Sequence, residues 1–214
     1  EERAGAIPGI NELSMPVRMT NVLVSYALYL GKVLRPLELA VFYPHPGLWP
    51  LPQVALSGLL LFLITTIVLS RRRTFPWLIV GWFWYLSILF PVSGLVQVGS
   101  HGMADRYTYL PMIGIYLILA WGGWEVLRIR DEDRRKIVYT AYAGIMIMAY
   151  TIVAWNQLQY WQNSITLFSR AIDVTRDNYL AHNNLGAVLI TYGFPDTAER
   201  HLRRALEIKP TYAV

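Results

Sequence analysis

Four stretches of the chain are apolar for the ~20 residues that a membrane-crossing helix needs. They cover 51–70, 77–96, 108–127 and 137–155, and Glu125 is the only charged residue in them. Such runs in succession are expected of membrane helices more than of core helices in a soluble protein. Residues 16–36 pattern differently. Ser14 and Pro16 are helix-start signals and Pro36 is a stop. Between them Arg18, Asn21, Ser25, Lys32 and Arg35 fall on one narrow arc, and the rest is mostly Val, Leu, Tyr and Ala. This predicts an amphipathic helix that either lies in the interface or spans with its polar stripe turned into a bundle.

After Trp155 charges return and the apolar spacing becomes that of surface helices. Arg170-Ala171-Ile172 matches Arg204-Ala205-Leu206 at a separation of 34 residues, and Phe168 matches Leu202. That period is the tetratricopeptide one, a repeated helix–turn–helix. One full unit is expected over 179–212, preceded by the second helix of a degenerate unit over 161–175. In it Leu185, Gly186, Ala198, Leu202 and Ala205 form the seam between helices, and Pro210 ends the unit. The predicted fold class is therefore all-α: a polytopic transmembrane helix bundle over 1–156, then tetratricopeptide-like hairpins over 157–214. Such repeats offer a concave surface to protein or peptide partners. About three are needed to bury a solenoid core, so the chain is expected to be part of a longer protein.

Charge sets the expected orientation. The connections after the first and third runs hold Arg71, Arg72, Arg73, Arg128, Arg130, Arg134, Arg135 and Lys136, whereas those over 42–50 and 97–107 hold only Arg106. Short basic loops stay cytoplasmic. The 42–50 and 97–107 connections and the helical tail are then extracytoplasmic. The composition agrees: 55% hydrophobic and 15% charged residues exclude disorder, and the absence of Cys excludes a disulfide scaffold. The net charge of +5 sits at membrane flanks, so no nucleic-acid partner is expected.

Candidate chemistry is concentrated in the two outer connections. Arg106 has the geometry for bidentate phosphate contact, with Lys32 and Arg35 as further cations. Tyr43, His45, His101, Asp105, Tyr107 and Tyr109 could line a groove for a sugar or an acceptor. The same residues admit plainer roles: Asp105 and Arg106 paired with each other, the tyrosines as interfacial anchors. No ligand spacing points to a metal site, and no Gly-rich phosphate loop, nucleophile elbow or HExxH is present.

In order along the chain, PheTyrProHisProGly (42–47), AlaAspArgTyrThrTyrLeuPro (104–111), a final apolar run, then TyrTrpGlnAsnSerIleThrLeuPheSerArgAla (160–171) and AsnTyrLeuAlaHisAsnAsnLeuGly (178–186) resemble bacterial relatives of the transmembrane-and-tetratricopeptide O-mannosyltransferases. These belong to the polytopic C-type glycosyltransferase superfamily. The resemblance implies an enzyme that moves a sugar, typically mannose, from a polyprenyl-phosphate carrier to a Ser or Thr hydroxyl outside the membrane. No other cofactor is implied. The partners would be membrane lipid, the lipid-linked sugar and a protein acceptor, and the setting a bacterial inner membrane with the repeats on the periplasmic side. A general base on the acceptor hydroxyl is implied in a first outer loop that this chain does not contain, and Arg106 falls on the motif's basic position. The alternative is a non-catalytic membrane scaffold whose repeats collect protein partners.

Overall fold

A computed structural model describes residues 14–36, 38–95, 101–126, 129 and 131–210. The ends expected for the second run, the third run and the repeat unit lie outside the described residues, as does the side chain of His101. The described fold is all-α apart from one short antiparallel pairing. Helices α1 (Met15–Leu34), α2 (Leu51–Ser70), α3 (Pro76–Leu89), α4 (Pro111–Val126) and α5 (Glu132–Leu158) are followed by α6 (Ser164–Val174), α7 (Tyr179–Thr191) and α8 (Pro195–Ile208). Strands β1 (Tyr43–Pro44) and β2 (His101–Met103) join the two connections that carry the candidate chemistry.

Prolines and caps set most boundaries. A proline opens the first turn of α1, α2, α3 and α8, where its missing N–H costs nothing. The Asp131 carboxylate accepts from the Asp133 and Arg134 amides and starts α5, and Asn163 and Thr166 form a capping box at α6. The second apolar run does not continue as one α-helix. Pro91 lacks the N–H that would extend it, so α3 ends at Leu89 and a 3-10 turn covers Phe90–Val92. The third run starts its helix at Pro111 rather than at 108, because the residue before a proline disfavours the helical conformation. Of the described helices, Leu51–Ser70 and Glu132–Trp161 are long and apolar enough to cross a membrane.

The core joins α1 to α3. Tyr26, Tyr29, Val33, Trp82, Tyr85, Leu89, Met103 and Met112 are buried in one cluster. The Tyr26 and Tyr85 rings meet edge to face at 5.7 Å. Each hydroxyl donates to a carbonyl of the other helix, Tyr85 to Tyr26 at 2.6 Å and Tyr26 to Leu86 at 2.8 Å. Both ends of α1 reach connections that the charge pattern puts on one side. Asn21 touches Trp49, Ser93 and Gly102, while Lys32 touches Glu38, Tyr43 and Asp105.

Helices α3 and α4 approach closely at Gly81 and Gly114. A Cβ on either would collide with the carbonyl oxygen of the other. Two glycines facing each other let backbones touch, which is how helices associate where water gives no hydrophobic drive. Helix α5 is held differently. None of its described residues is buried. It is tied through side chains: Arg135 donates to the Trp124 carbonyl, Tyr139 to that of Ala120 and Tyr150 to that of Val33. Its Ile145, Ile147 and Met148, like Leu59 and Phe62 of α2, are exposed. Apolar faces of this extent suit a hydrocarbon solvent rather than water.

In the tail, Leu185, Leu189 and Ala198 are buried together against Ile165, Phe168 and Ile172. Gly186 stands where a Cβ would come within 2.7 Å of Leu202 Cγ and 3.3 Å of the Ala198 carbonyl oxygen. Ala205 is fully buried, Pro210 follows α8, and Gly193 makes the intervening turn at φ +80°. The tail also packs on the first outer connection. Ala40 is buried with Ala171 and Ala181, and the Phe42 and Phe168 rings lie 6.4 Å apart.

Replacing Gly81 with Val forces two helix backbones apart. Overpacking of this kind costs about 1–3 kcal/mol. The variant is expected to melt well below the wild type in detergent, whereas Gly58→Ala, whose Cβ meets nothing within 4 Å, does not. Equal melting of all three proteins would contradict the close approach.

Candidate functional site

Three side chains build the centre of the site. Lys32, near the end of α1, lies 3.2 Å from Asp105 Oδ1, and the two side chains are 19% and 13% exposed. Tyr43 supplies the third. Its hydroxyl lies 2.7 Å from Asp105 Oδ2 and 2.8 Å from the Glu38 carbonyl, accepts from the Ala40 amide at 3.0 Å and also takes a hydrogen bond from Lys32. The Ala40 amide donates to Asp105 Oδ2 at 2.7 Å as well. Burial, and then the Asp105 charge, push the Tyr43 phenol far above its ordinary range, so it keeps its proton and acts as a donor to the carboxylate. Asp105 is thereby a fastening between α1, the 38–43 segment and the turn Asp105–Thr108. Its partner is Lys32, and not the neighbouring Arg106 that one reading of the sequence paired with it.

Two side chains that the sequence reading did not place in the site hold it in register. Tyr29, one turn before Lys32, is buried and its hydroxyl both donates to the Ala104 carbonyl at 3.1 Å and accepts from the Ala104 amide at 3.0 Å. Asn21 is buried at the other end of α1, donating to the Ser93 and Gly102 carbonyls and accepting from Trp49 Nε1 at 3.1 Å. The available signal was their spacing. Asn21, Ser25, Tyr29 and Lys32 recur at helical intervals along one face, and the face that carries Lys32 therefore carries its support.

Arg106 is exposed. One guanidinium nitrogen donates to the Val41 carbonyl at 3.1 Å, and its carbon lies 5.1 Å from the centre of the Tyr107 ring. A guanidinium has five N–H donors, so most of its valence is left for a ligand. It opens on a cavity of about 600 Å³ that Lys32, Asp105, Thr108 and Tyr109 also line. The remaining wall is mostly apolar and comes from Val33, the 36–40 segment and the helices α4 and α5, with Met112, Tyr116, Tyr150 and Val153 among its residues. Tyr116, Tyr150 and Ala154 also line a groove of about 660 Å³ that continues between α4 and α5 past Tyr139 and Met146. The charged cavity and the apolar groove thus share the wall formed by Tyr116, Tyr150 and Ala154.

The other expected residues fall on the opposite side of Lys32. Arg35 and Tyr43 line a second cleft, of about 500 Å³, with Glu38, Trp49 and, from the tail, Val174, Thr175 and Arg176. Lys32 is common to both cavities. The structure therefore separates Arg35 from Arg106. The His45 ring is half-buried; its Nδ1 accepts from the Gly47 amide at 3.0 Å, which fixes the turn, and burial holds it below the ordinary imidazole range. Among the described residues no group of three or more His, Cys, Asp or Glu side chains is placed to hold a metal ion.

Comparison with known proteins points to one group. The chain is 26% identical over 148 residues to the protein O-mannosyl-transferase Tmtc1 of Drosophila melanogaster, which covers 67% of this chain and 17% of that protein. It is 24% identical over 158 residues to the protein O-mannosyl-transferase F38B6.6 of Caenorhabditis elegans, covering 74% of this chain and 22% of that protein. With human protein O-mannosyl-transferase TMTC3 it shares 23% identity over 120 residues, covering 56% of this chain and 13% of that protein. The chain thus spans about a fifth or less of the length of these curated relatives. No family model matches it, and no solved structure matches it. These partial similarities support a relation to the protein O-mannosyl-transferases.

Proposed function

We propose that this chain is the carboxyl-terminal membrane portion, with the first helical repeats, of a glycosyltransferase that moves a sugar from a polyprenyl-phosphate carrier to a protein hydroxyl on the extracytoplasmic face. Mannose is the sugar that the similarity to O-mannosyl-transferases favours. A bacterial inner membrane, with the tail on the periplasmic side, is the setting implied by the sequence resemblance. The observation that carries the reading is the cavity with Arg106 at one end and an apolar groove between α4 and α5 at the other. A lipid-linked sugar phosphate has that order of parts: an anionic head, then a long hydrocarbon tail.

The roles follow from the geometry. Arg106 takes the phosphate. As the bond from the anomeric carbon to the phosphate oxygen breaks, negative charge grows on the departing lipid phosphate, and a fixed cation lowers the barrier most when aimed at charge that develops in the transition state. Lys32 adds positive potential, but its charge is shared with Asp105, so it and Asp105 position Arg106 instead of replacing it. Tyr109 and Thr108 lie at the cavity edge beside the head, where hydroxyls suit a sugar. The acceptor peptide enters by the second cleft, which brings tail residues Val174 to Arg176 to the far side of Lys32. Leu185, Gly186, Ala198, Leu202, Ala205 and Pro210 build the tetratricopeptide hairpin that presents it. A general base takes the proton of the acceptor hydroxyl as its oxygen bonds to the anomeric carbon.

Two measurements test the reading. In full-length protein supplied with polyprenyl-phosphate mannose, Arg106→Ala should lower turnover about 10²–10³-fold, the usual cost of one lost charge-stabilising donor, with melting unchanged. Arg106→Lys should recover part of it. Unchanged turnover in Arg106→Ala would leave the scaffold reading in its place. The sidedness has its own check, because the chain has no cysteine. A single cysteine at exposed Tyr192 should react with a membrane-impermeant maleimide in intact cells, and one at Arg72 only after permeabilisation. The reverse pattern would remove the extracytoplasmic cleft.

A further inference from the structure

We propose that His182 of α7 and His201 of α8 form a two-imidazole clamp for a divalent transition-metal ion of the zinc class. The two Nδ1 atoms lie 3.1 Å apart and the ring centroids 5.3 Å apart, with the rings tilted 31°. Zinc binds imidazole nitrogen at about 2.0–2.1 Å. Two such bonds meeting at 90° to 109° hold their nitrogens about 2.9 to 3.4 Å apart, so the nitrogen spacing is that of a chelate.

The backbone beneath the pair is rigid. Gly186 lies against Leu202, and Ala181, Ala198 and Ala205 are buried along the same two helices. Two facing lone pairs repel unless a proton or a cation lies between them. The nearby Arg204 would oppose an ion, but its charge is met by Glu207 at 3.0 Å and Asp177 at 3.6 Å. Both rings are partly exposed, which gives an ion a path from solvent.

With two protein ligands among the described residues, the ion would keep two positions for water or for a ligand from outside. That is an open site in the coordination sense. It would be exchangeable, and it would cross-link α7 to α8 while occupied. Neither histidine lies in the cavities assigned to sugar transfer, so the clamp stands or falls apart from that function.

The test uses the whole chain in detergent, stripped with a chelator and titrated with Zn²⁺ by calorimetry. One Zn²⁺ per chain is expected, with a rise in melting temperature that follows Zn²⁺ concentration as binding to the folded state requires. His182→Asn and His201→Gln should each weaken binding by more than the about 10–100-fold that loss of an outer partner costs a metal site. His45→Ala should bind as the wild type does. If a variant fails to fold, Co²⁺ added to the wild type supplies a second readout, its visible bands expected to vanish on diethylpyrocarbonate treatment of the histidines. An absence of stoichiometric binding, or binding undiminished in both variants, would overturn the proposal and leave a simple N–H···N hydrogen bond between the helices.

Discussion

The half-buried ion pair between Lys32 and Asp105 is the contact on which the arrangement of the outer face rests. Breaking a buried pair by removing one partner costs about 3–5 kcal/mol, because the other charge is left in a poor solvent. Here the cost has a geometric meaning. Lys32 belongs to the first helix, Asp105 to the turn before α4, and Tyr43 and Ala40 to the connection between them. The carboxylate touches all three pieces of chain at once. Arg106 takes its place from that anchor, since it is the next residue along the chain and donates to Val41, the residue after Ala40.

The same connection faces the tail. Phe42 meets Phe168, and the Asn178 side chain, which also caps α7 through the Ala181 amide, reaches the Phe42 carbonyl at 3.5 Å. Residues 40–43 are thus gripped from one side by the charged centre and from the other by α6 and α7. A rigid link only four residues long joins the place where a phosphate would bind to the place where a peptide would be held.

How far this was legible in the sequence depends on the range of the interaction. Local features were readable in part: the apolar runs mark helices and prolines mark starts, but the expected 77–96 run is cut where Pro91 stands. The polar stripe of α1 was readable too, since a helical face is a periodic property. Partners across long separations were not. Asp105 has its neighbour Arg106 as the nearest cation in sequence, yet it pairs with Lys32, and only the folded chain decides between them. Arg35 and Lys32 share one stripe and both line the second cleft, but only Lys32 also lines the cavity of Arg106, and no spacing in the sequence tells the two apart. Gly81 and Gly114 carry no mark in an apolar run, and their contact exists only between two helices.

Among its described residues helix α5 has none buried and is joined to its neighbours through the side chains of Arg135, Tyr139 and Tyr150, whereas α3 and α4 touch backbone to backbone. On the proposed reading the groove along α4 would have one fixed bank and one bank open to lipid. A hydrocarbon chain would then slip in sideways from the bilayer, with no need to thread through an opening, and its far end would trail among its neighbours in the leaflet. Such a binding site would read the head of its ligand and be indifferent to how many units follow.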